Sequence, residues 1–388
     1  MILITTSNTD TYNNPTILGI LTILQKKDIP VKVISTTNYF KNSFSNVEHI
    51  NLIPFNFKMN YKSILKECIK FIFFHLKISY LTLRFTPKII LGVDANGLIL
   101  ATKFYKLYYL FRFKKIPIDY LSFEIFFKEE GANKINEIEA CKFIHRLVIQ
   151  DSLRDKLLRT ENNIDEKVHS YFIPVAPYLF NNSKKKVINF REKYKLSPQT
   201  KLIIFFGSFD NWSGAEWVLN LLKTNNVENI KFVIHSRYKL NVANETDHKL
   251  LELANKNSNI IISNDYIEDS ETTIEFLKQF DAGFVFYIQS QSIYTGKNIF
   301  NIGLSSGKFS HLMAAGVPAI TNNLPTYFEL LKKYDFGYII NNEIELQKLL
   351  NEEINFSLKK ENCIKLFDEI LNPKIDLDRY VENLIMKF

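Results

Sequence analysis

Cysteine is scarce in this 388-residue chain, and the three present, Cys68, Cys141 and Cys363, are too widely separated to make a metal-ligand spacing. They read as ordinary buried thiols of a reducing compartment. Missing too is any run of the ~20 uncharged apolar residues that a bilayer span requires. The nearest approach, 71–83, is interrupted by His75 and Lys77. The opening Met1-Ile2-Leu3-Ile4 is strand-like and lacks the basic leader of a secretion signal. The expectation is a cytoplasmic protein, soluble or peripheral on the inner face of the membrane. No Gly-x-Gly-x-x-Gly follows the first strand, which disfavours a dinucleotide-binding domain of the dehydrogenase type.

Acidic residues are nearly absent from one band. Residues 57–115 hold 12 basic side chains and two acidic ones, Glu67 and Asp94. The net charge of +8 is therefore uneven: residues 1–175 carry 24 Lys and Arg against 16 Asp and Glu, and 176–388 carry 25 of each. Lys58, Lys62, Lys66 and Lys70 recur every four residues and form one stripe on a helix. With Arg112, Lys114 and Lys115, and with Phe71, Phe73, Tyr105, Tyr109 and Phe113 interleaved, they suit an anionic membrane or acceptor surface. The alternative is a helical layer that covers a sheet, its Lys stems lying over apolar surface. A nucleic-acid role is disfavoured, because the charge lies on apolar helices without a recognised nucleic-acid module.

What is present argues for two α/β domains. Hydrophobic content of 46% and aromatic content of 14% exclude a disordered chain, and the length exceeds one typical core. Strand-like runs alternate with helical ones: strands at 1–6, 31–35, 49–53, 88–91, 118–123 and 147–150, helices at 15–27, 57–85, 101–115, 137–146 and 151–160. Asp151 suits the cap of the last of these. After a polar stretch at 181–186 the rhythm restarts, with strands at 201–206, 231–234, 259–262, 282–287, 317–320 and 338–340. Ligands of open α/β sheets collect at the C-terminal ends of strands, which makes Asp94 and Glu124 candidate catalytic carboxylates; Glu124 is preferred for its place at a strand end.

The most informative string is 302–323, IGLSSGKFSHLMAAGVPAITNN. Ser305, Ser306 and Gly307 form a tight turn that feeds a short helix, with Ser305 or Ser306 as N-cap. Such a turn aims backbone N–H groups and the positive end of the helix dipole at one point, and Lys308 adds a full charge. The product is an anion site, most naturally for a phosphate. Gly316 suits the left-handed position past the helix end.

That string resembles the donor-site signature of B-type (GT-B fold) glycosyltransferases, the bacterial polysaccharide enzymes of families 4 and 1 among them. Lys308, Ala314, Gly316, Pro318 and Ile320 fall on the signature's positions. His311 stands where relatives carry an acidic residue that holds the nucleotide ribose; a neutral imidazole also bonds a hydroxyl. Ile149-Gln150-Asp151-Ser152-Leu153-Arg154 with Phe172-Ile173-Pro174-Val175 resembles the stretch where the family's first domain ends. The resemblance implies two Rossmann-like domains facing across a cleft: an acceptor domain over 1–178, a donor domain over 187–375, and a last helix, 376–388, packed back on the first domain. It implies donor contacts from Gly207, Ser208, His235, Arg237 and Tyr266 beside Ser305, Ser306, Gly307, Lys308 and His311. Relatives carry an Arg and a Lys after the glycine corresponding to Gly207, where this chain has Ser208, Asp210 and Asn211.

The implied activity is transfer of a sugar from a nucleoside-diphosphate sugar, a UDP-sugar favoured, to a saccharide or lipid-linked saccharide in surface polysaccharide or glycoconjugate synthesis. No metal and no cofactor beyond the nucleotide sugar are implied. A GT-B-fold partner subunit without activity and a nucleotide-sugar epimerase are the alternatives; for the epimerase no matching cluster of acidic and His residues is found.

Overall fold

The computed structural model describes residues 1–7, 14–36, 44–52, 64–128, 134–180, 187–224, 229–236, 239–265, 267, 269–289, 296–352 and 355–386, with side chains for all of these except 64–70 and 224. The chain divides into two compact units, Met1–Val175 with Pro373–Phe388, and Ala176–Asn372.

In the first unit the elements are β1 (Ile2–Thr6), α1 (Pro15–Lys26), β2 (Val31–Ser35), β3 (Val47–Asn51), α2 (Ile64–Arg84) and β4 (Ile89–Val93). They continue as α3 (Asp94–Arg112), β5 (Ile118–Leu121), α4 (Lys134–Cys141), β6 (Ile144–Ile149), α5 (Ser152–Asn162) and β7 (His169–Phe172). The strands form one parallel sheet in the order β3-β2-β1-β4-β5-β6-β7. Both faces are covered, so β1 and β4 are buried at every position and read in the sequence as unbroken apolar runs. The direction of winding reverses between β1 and β4.

The second unit runs α6 (Phe190–Lys193), β8 (Lys201–Phe206), α7 (Ala215–Thr224), β9 (Ile230–His235), α8 (Glu245–Lys256), β10 (Ile260–Ser263), α9 (Ser270–Leu277) and β11 (Ala282–Val285). Then come α10 (Lys297–Phe300), α11 (Gly307–Ala314), β12 (Ala319–Asn322), α12 (Pro325–Tyr334), β13 (Gly337–Ile340), α13 (Glu343–Asn351) and α14 (Lys360–Leu366). Its parallel sheet has the order β10-β9-β8-β11-β12-β13, so the winding reverses between β8 and β11. Helix starts are fixed by side-chain caps: Asn14 accepts from Thr16 N and Ile17 N, Asp151 from Arg154 N, Asp269 from Thr272 N, and Ser306 from Phe309 N.

The last helix, α15 (Lys374–Ile385), belongs to the first unit. Tyr380 Oη donates to Asp119 Oδ2 at 3.1 Å, and Asn383 Nδ2 donates to Tyr171 Oη at 2.9 Å. Asp119 is fully buried and takes the guanidinium of Arg146 as its counter-charge, with Nη2 at 2.6 Å from Oδ2.

Several expected boundaries move, each for a local reason. The helix expected at 101–115 begins at Asp94, directly off β4, with Asp94 in the left-handed region at φ +54°. Residues 92 and 93 thus finish β4 and 94–97 are the first turn of α3, where Gly97 serves close packing: a Cβ there would lie 2.4 Å from the Thr5 carbonyl oxygen. The helix expected over 137–146 ends at Cys141, and Arg146 lies on β6 facing Asp119. The third strand sits at 47–51 rather than 49–53, and the strand expected at 317–320 starts two residues later, past Pro318, which has no N–H for the ladder.

Candidate functional site

Each unit gathers its chemistry at the C-terminal edge of its sheet. In the first, the carboxylate of Asp94 follows β4, beside the reversal between β1 and β4, where open sheets leave a crevice. Its Oδ1 accepts from the backbone amides of Phe123 (2.7 Å) and Glu124 (3.0 Å), which follow β5. The two expected carboxylates, 30 residues apart in sequence, are thereby brought together. Arg154, a fully buried guanidinium from the first turn of α5, completes the group. Its Nε donates to Gln150 Oε1 (2.7 Å) and its Nη2 to the Phe123 carbonyl (2.8 Å), while Gln150 Nε2 holds the Ser122 carbonyl (2.7 Å).

Burial pushes the Asp94 carboxyl up, and the neighbouring charge of Glu124 pushes it further. The two amides and Arg154 oppose this, and the result is about 7. Burial lowers the Arg154 guanidinium against the pull of Glu124, Asp151 and Asp94. A carboxyl that titrates near neutrality beside a second carboxylate is equipped to take or give a proton at physiological pH. Arg154 was not singled out from the sequence as a site residue. The available signal was its position in the Gln150–Arg154 string, immediately after a strand end.

In the second unit, β8 is followed by Gly207, whose φ of +99° suits glycine and whose N–H donates to the His235 carbonyl (3.1 Å). The Ser208 carbonyl accepts from Ser213 Oγ at 2.7 Å. Against this turn lies the N-terminus of α11. Ser306, rather than Ser305, is the cap: its Oγ accepts from Phe309 N (3.1 Å) and pairs with Tyr287 Oη (2.6 Å). The Gly307 and Lys308 amides precede the first intrahelical bond, Ser310 N to the Ser306 carbonyl, and so belong to the positive end of the helix. Lys308 reaches the end of β8: its Cε lies 3.5 Å from where a Cβ on Gly207 would be, and its ammonium sits 4.2 Å from the Phe205 ring centroid. Its charge also acts on Asp210, holding down a carboxyl that burial and Asp247 raise.

The two histidines are largely enclosed. His235 is 2% exposed, its ring nitrogen is 3.1 Å from Ser263 Oγ, and its ring centroid is 4.8 Å from that of Phe276. That side chain fixes the end of β9 and offers almost no surface to a ligand. His311 is 4% exposed, and its Nδ1–H donates to the Gly307 carbonyl at 2.7 Å. This bond sets the tautomer and leaves Nε2 as the nitrogen with a lone pair. Ser305 and Gly307 remain partly accessible, and Lys308 is so along its stem, its ammonium nitrogen being buried. Arg237 and Tyr266 lie outside the described residues, as do Lys58 and Lys62; Lys66 and Lys70 fall on α2 with undescribed side chains.

A cavity of about 410 Å³ opens beyond the ends of β11, β12 and β13, lined by Trp217, Tyr287, Asn322, Leu324 and Asn341 among others. Asn322 is committed to the backbone of Tyr287, accepting from its N–H (2.9 Å) and donating to its carbonyl (2.8 Å). Tyr287 therefore links this cavity to the Ser306 cap. The sequence reading did not single it out; its place at the end of an apolar strand was the only signal.

No family model matches the sequence, and no curated protein matches it. Solved structures do match over the whole length. Sucrose-phosphate synthase from Thermosynechococcus elongatus is 10% identical, with 99% of this chain and 98% of that one covered, at a TM-score of 0.69. Anabaena HepE in complex with UDP and glucose is 11% identical, with 99% of both chains covered, at 0.69. WaaG, a glycosyltransferase involved in lipopolysaccharide biosynthesis, is 11% identical, with 99% of both covered, at 0.65. The chain has the fold of the B-type glycosyltransferases.

Proposed function

We propose that the protein is a glycosyltransferase that moves a sugar from a nucleoside-diphosphate sugar, a UDP-sugar favoured, to a saccharide or lipid-linked saccharide of a bacterial surface polysaccharide or glycoconjugate. The observation that carries this reading is the meeting of the α11 N-terminus and Lys308 with the Gly207 turn, at the point where the second sheet reverses its winding. In this reading the Gly307 and Lys308 amides and the Lys308 ammonium receive the donor diphosphate. They stabilise the negative charge that grows as the anomeric C–O bond breaks, without a metal ion. In this reading His311 stands on the ribose side of the donor. Asp94 and Glu124 provide the base that removes the acceptor hydroxyl proton as its oxygen attacks the anomeric carbon. If the departing diphosphate takes that proton instead, the carboxylates only bind the acceptor and configuration is retained.

The complexes of Anabaena HepE with UDP and with UDP-glucose support the choice of donor. The test is thermal unfolding against a panel of nucleotide sugars. One UDP-sugar should raise the melting temperature in proportion to the logarithm of its concentration. A flat response across the panel would remove this function. A second reading, a partner subunit without activity, is favoured by His311 at the ribose position and by Ser208, Asp210 and Asn211 where relatives carry cations. It predicts binding of the donor without any cleavage.

A further inference from the structure

Helix α2 carries two apolar faces. Ile78, Leu81 and, just past the helix end, Phe85 are buried against the first unit's core, as a helix layered on a sheet requires. On the other side Phe73, Leu76, Tyr80 and Leu83, spaced three and four residues apart, are all more than half exposed. The patch continues onto the end of α3, where Phe113 is 82% exposed, and the Arg112 guanidinium donates to the Leu83 carbonyl, tying the two helix ends together. Both helices end on the side of the sheet where β4 and β5 begin, opposite to Asp94 and Glu124. A contiguous apolar patch of this kind on a soluble unit marks a contact surface.

Charge decides what covers it. Arg84, Lys88, Arg112, Lys114 and Lys115 are exposed around the patch, and from residue 68 to 118 the sequence has a single acidic residue, Asp94, at the far end of α3. A second copy in a two-fold contact would set this basic rim against itself. Bare nucleic acid would meet the cations but leave the exposed Phe, Leu and Tyr side chains without an apolar phase. An anionic bilayer meets both demands, with rings and leucines at the acyl boundary and cations among the headgroups. No described helix is long and apolar enough to cross a membrane, so this contact lies in the interface.

We propose that the exposed faces of α2 and the α3 C-terminus dock this protein on an anionic membrane surface. The docking face is thus residues 73–83 and 112–115, downstream of the Lys58–Lys70 stripe. It shares no residue with the candidate site and does not depend on the proposed transfer reaction.

The test is co-sedimentation of the full chain with vesicles of phosphatidylcholine alone and of phosphatidylcholine with phosphatidylglycerol, at low and high salt. Binding should be roughly tenfold or more stronger to the anionic vesicles and should fall with salt. Leu76→Ser/Phe113→Ser and Lys114→Gln/Lys115→Gln should each weaken it about tenfold, while melting temperature and UDP affinity stay as in the wild type. Equal binding to both vesicles, binding to neither, or wild-type binding in both variants overturns the proposal. A dimer that the Leu76→Ser/Phe113→Ser variant dissolves, without vesicle binding, assigns the patch to a second copy and overturns it too.

Discussion

Replacing Asp94 by Asn tests the most unusual electrostatic feature of the first unit. In the unfolded chain this carboxyl titrates near 3.8, and in the folded protein at about 7. The raised value means that the folded state holds the proton more tightly, so the associated stability is present below 3.8 and is lost as pH rises through 7. Each unit is worth about 1.36 kcal/mol, so from pH 5 to pH 8 the wild type loses about 3 kcal/mol at this one group. An amide of the same shape does not titrate, and its oxygen can still accept from the Phe123 and Glu124 amides. Urea unfolding of both proteins at pH 5 and pH 8 isolates Asp94 and the groups coupled to it, because groups that do not sense its charge cancel in the difference. Asp94→Asn should gain about 3 kcal/mol on the wild type between the two pH values. The same carboxyl is one of the two candidate bases of the proposed reaction; with Asp94 rather than Glu124 as the base, wild-type kcat/KM should climb through pH 7 and the variant should fall roughly 10²–10⁴-fold. Parallel pH profiles of stability in the two proteins would refute the electrostatic reasoning.

Lys308→Ala should weaken UDP binding by about 1.5–3 kcal/mol, the worth of a charge-assisted hydrogen bond, as read by calorimetry. Unchanged affinity would move the diphosphate away from the α11 N-terminus. Arg154→Met should leave Asp94 and Glu124 without their buried counter-charge, costing about 3 kcal/mol in urea unfolding. It should also move the Asp94 midpoint above 7, since Arg154 is one of the groups holding it down; a pH–rate profile that stays in place would show the guanidinium to be merely structural.

The fold was legible because parallel strands buried on both faces leave apolar runs, as in Ile2–Thr6 and Lys201–Phe206, and because the caps Asp151 and Ser306 sit in sequence where helices start. Boundaries slipped where tertiary contact overrode local pattern. Gly97 looks like a loop residue, yet it lies in α3, and it is glycine because the Thr5 carbonyl leaves no room for a side chain. Arg146 continues a helical charge pattern, yet it lies on a strand because buried Asp119 needs its charge. At the site, the α11 motif was readable as one contiguous string. The Asp94–Glu124–Arg154 group was only partly so, since three separate strand ends bring it together. The enclosure of His235 by Phe206 and Phe276 left no trace in sequence spacing.

The central claim is that this fold cleaves a nucleotide sugar at its anomeric bond. The direct measurement is release of nucleoside diphosphate from a panel of nucleotide sugars, followed by chromatography without acceptor and with chelator present. A transferase leaks its donor to water, so one UDP-sugar should yield UDP slowly, and Lys308→Ala should suppress the yield. Tight binding of that donor with no UDP released, with or without candidate saccharide acceptors, would contradict the account and leave a binding subunit in its place.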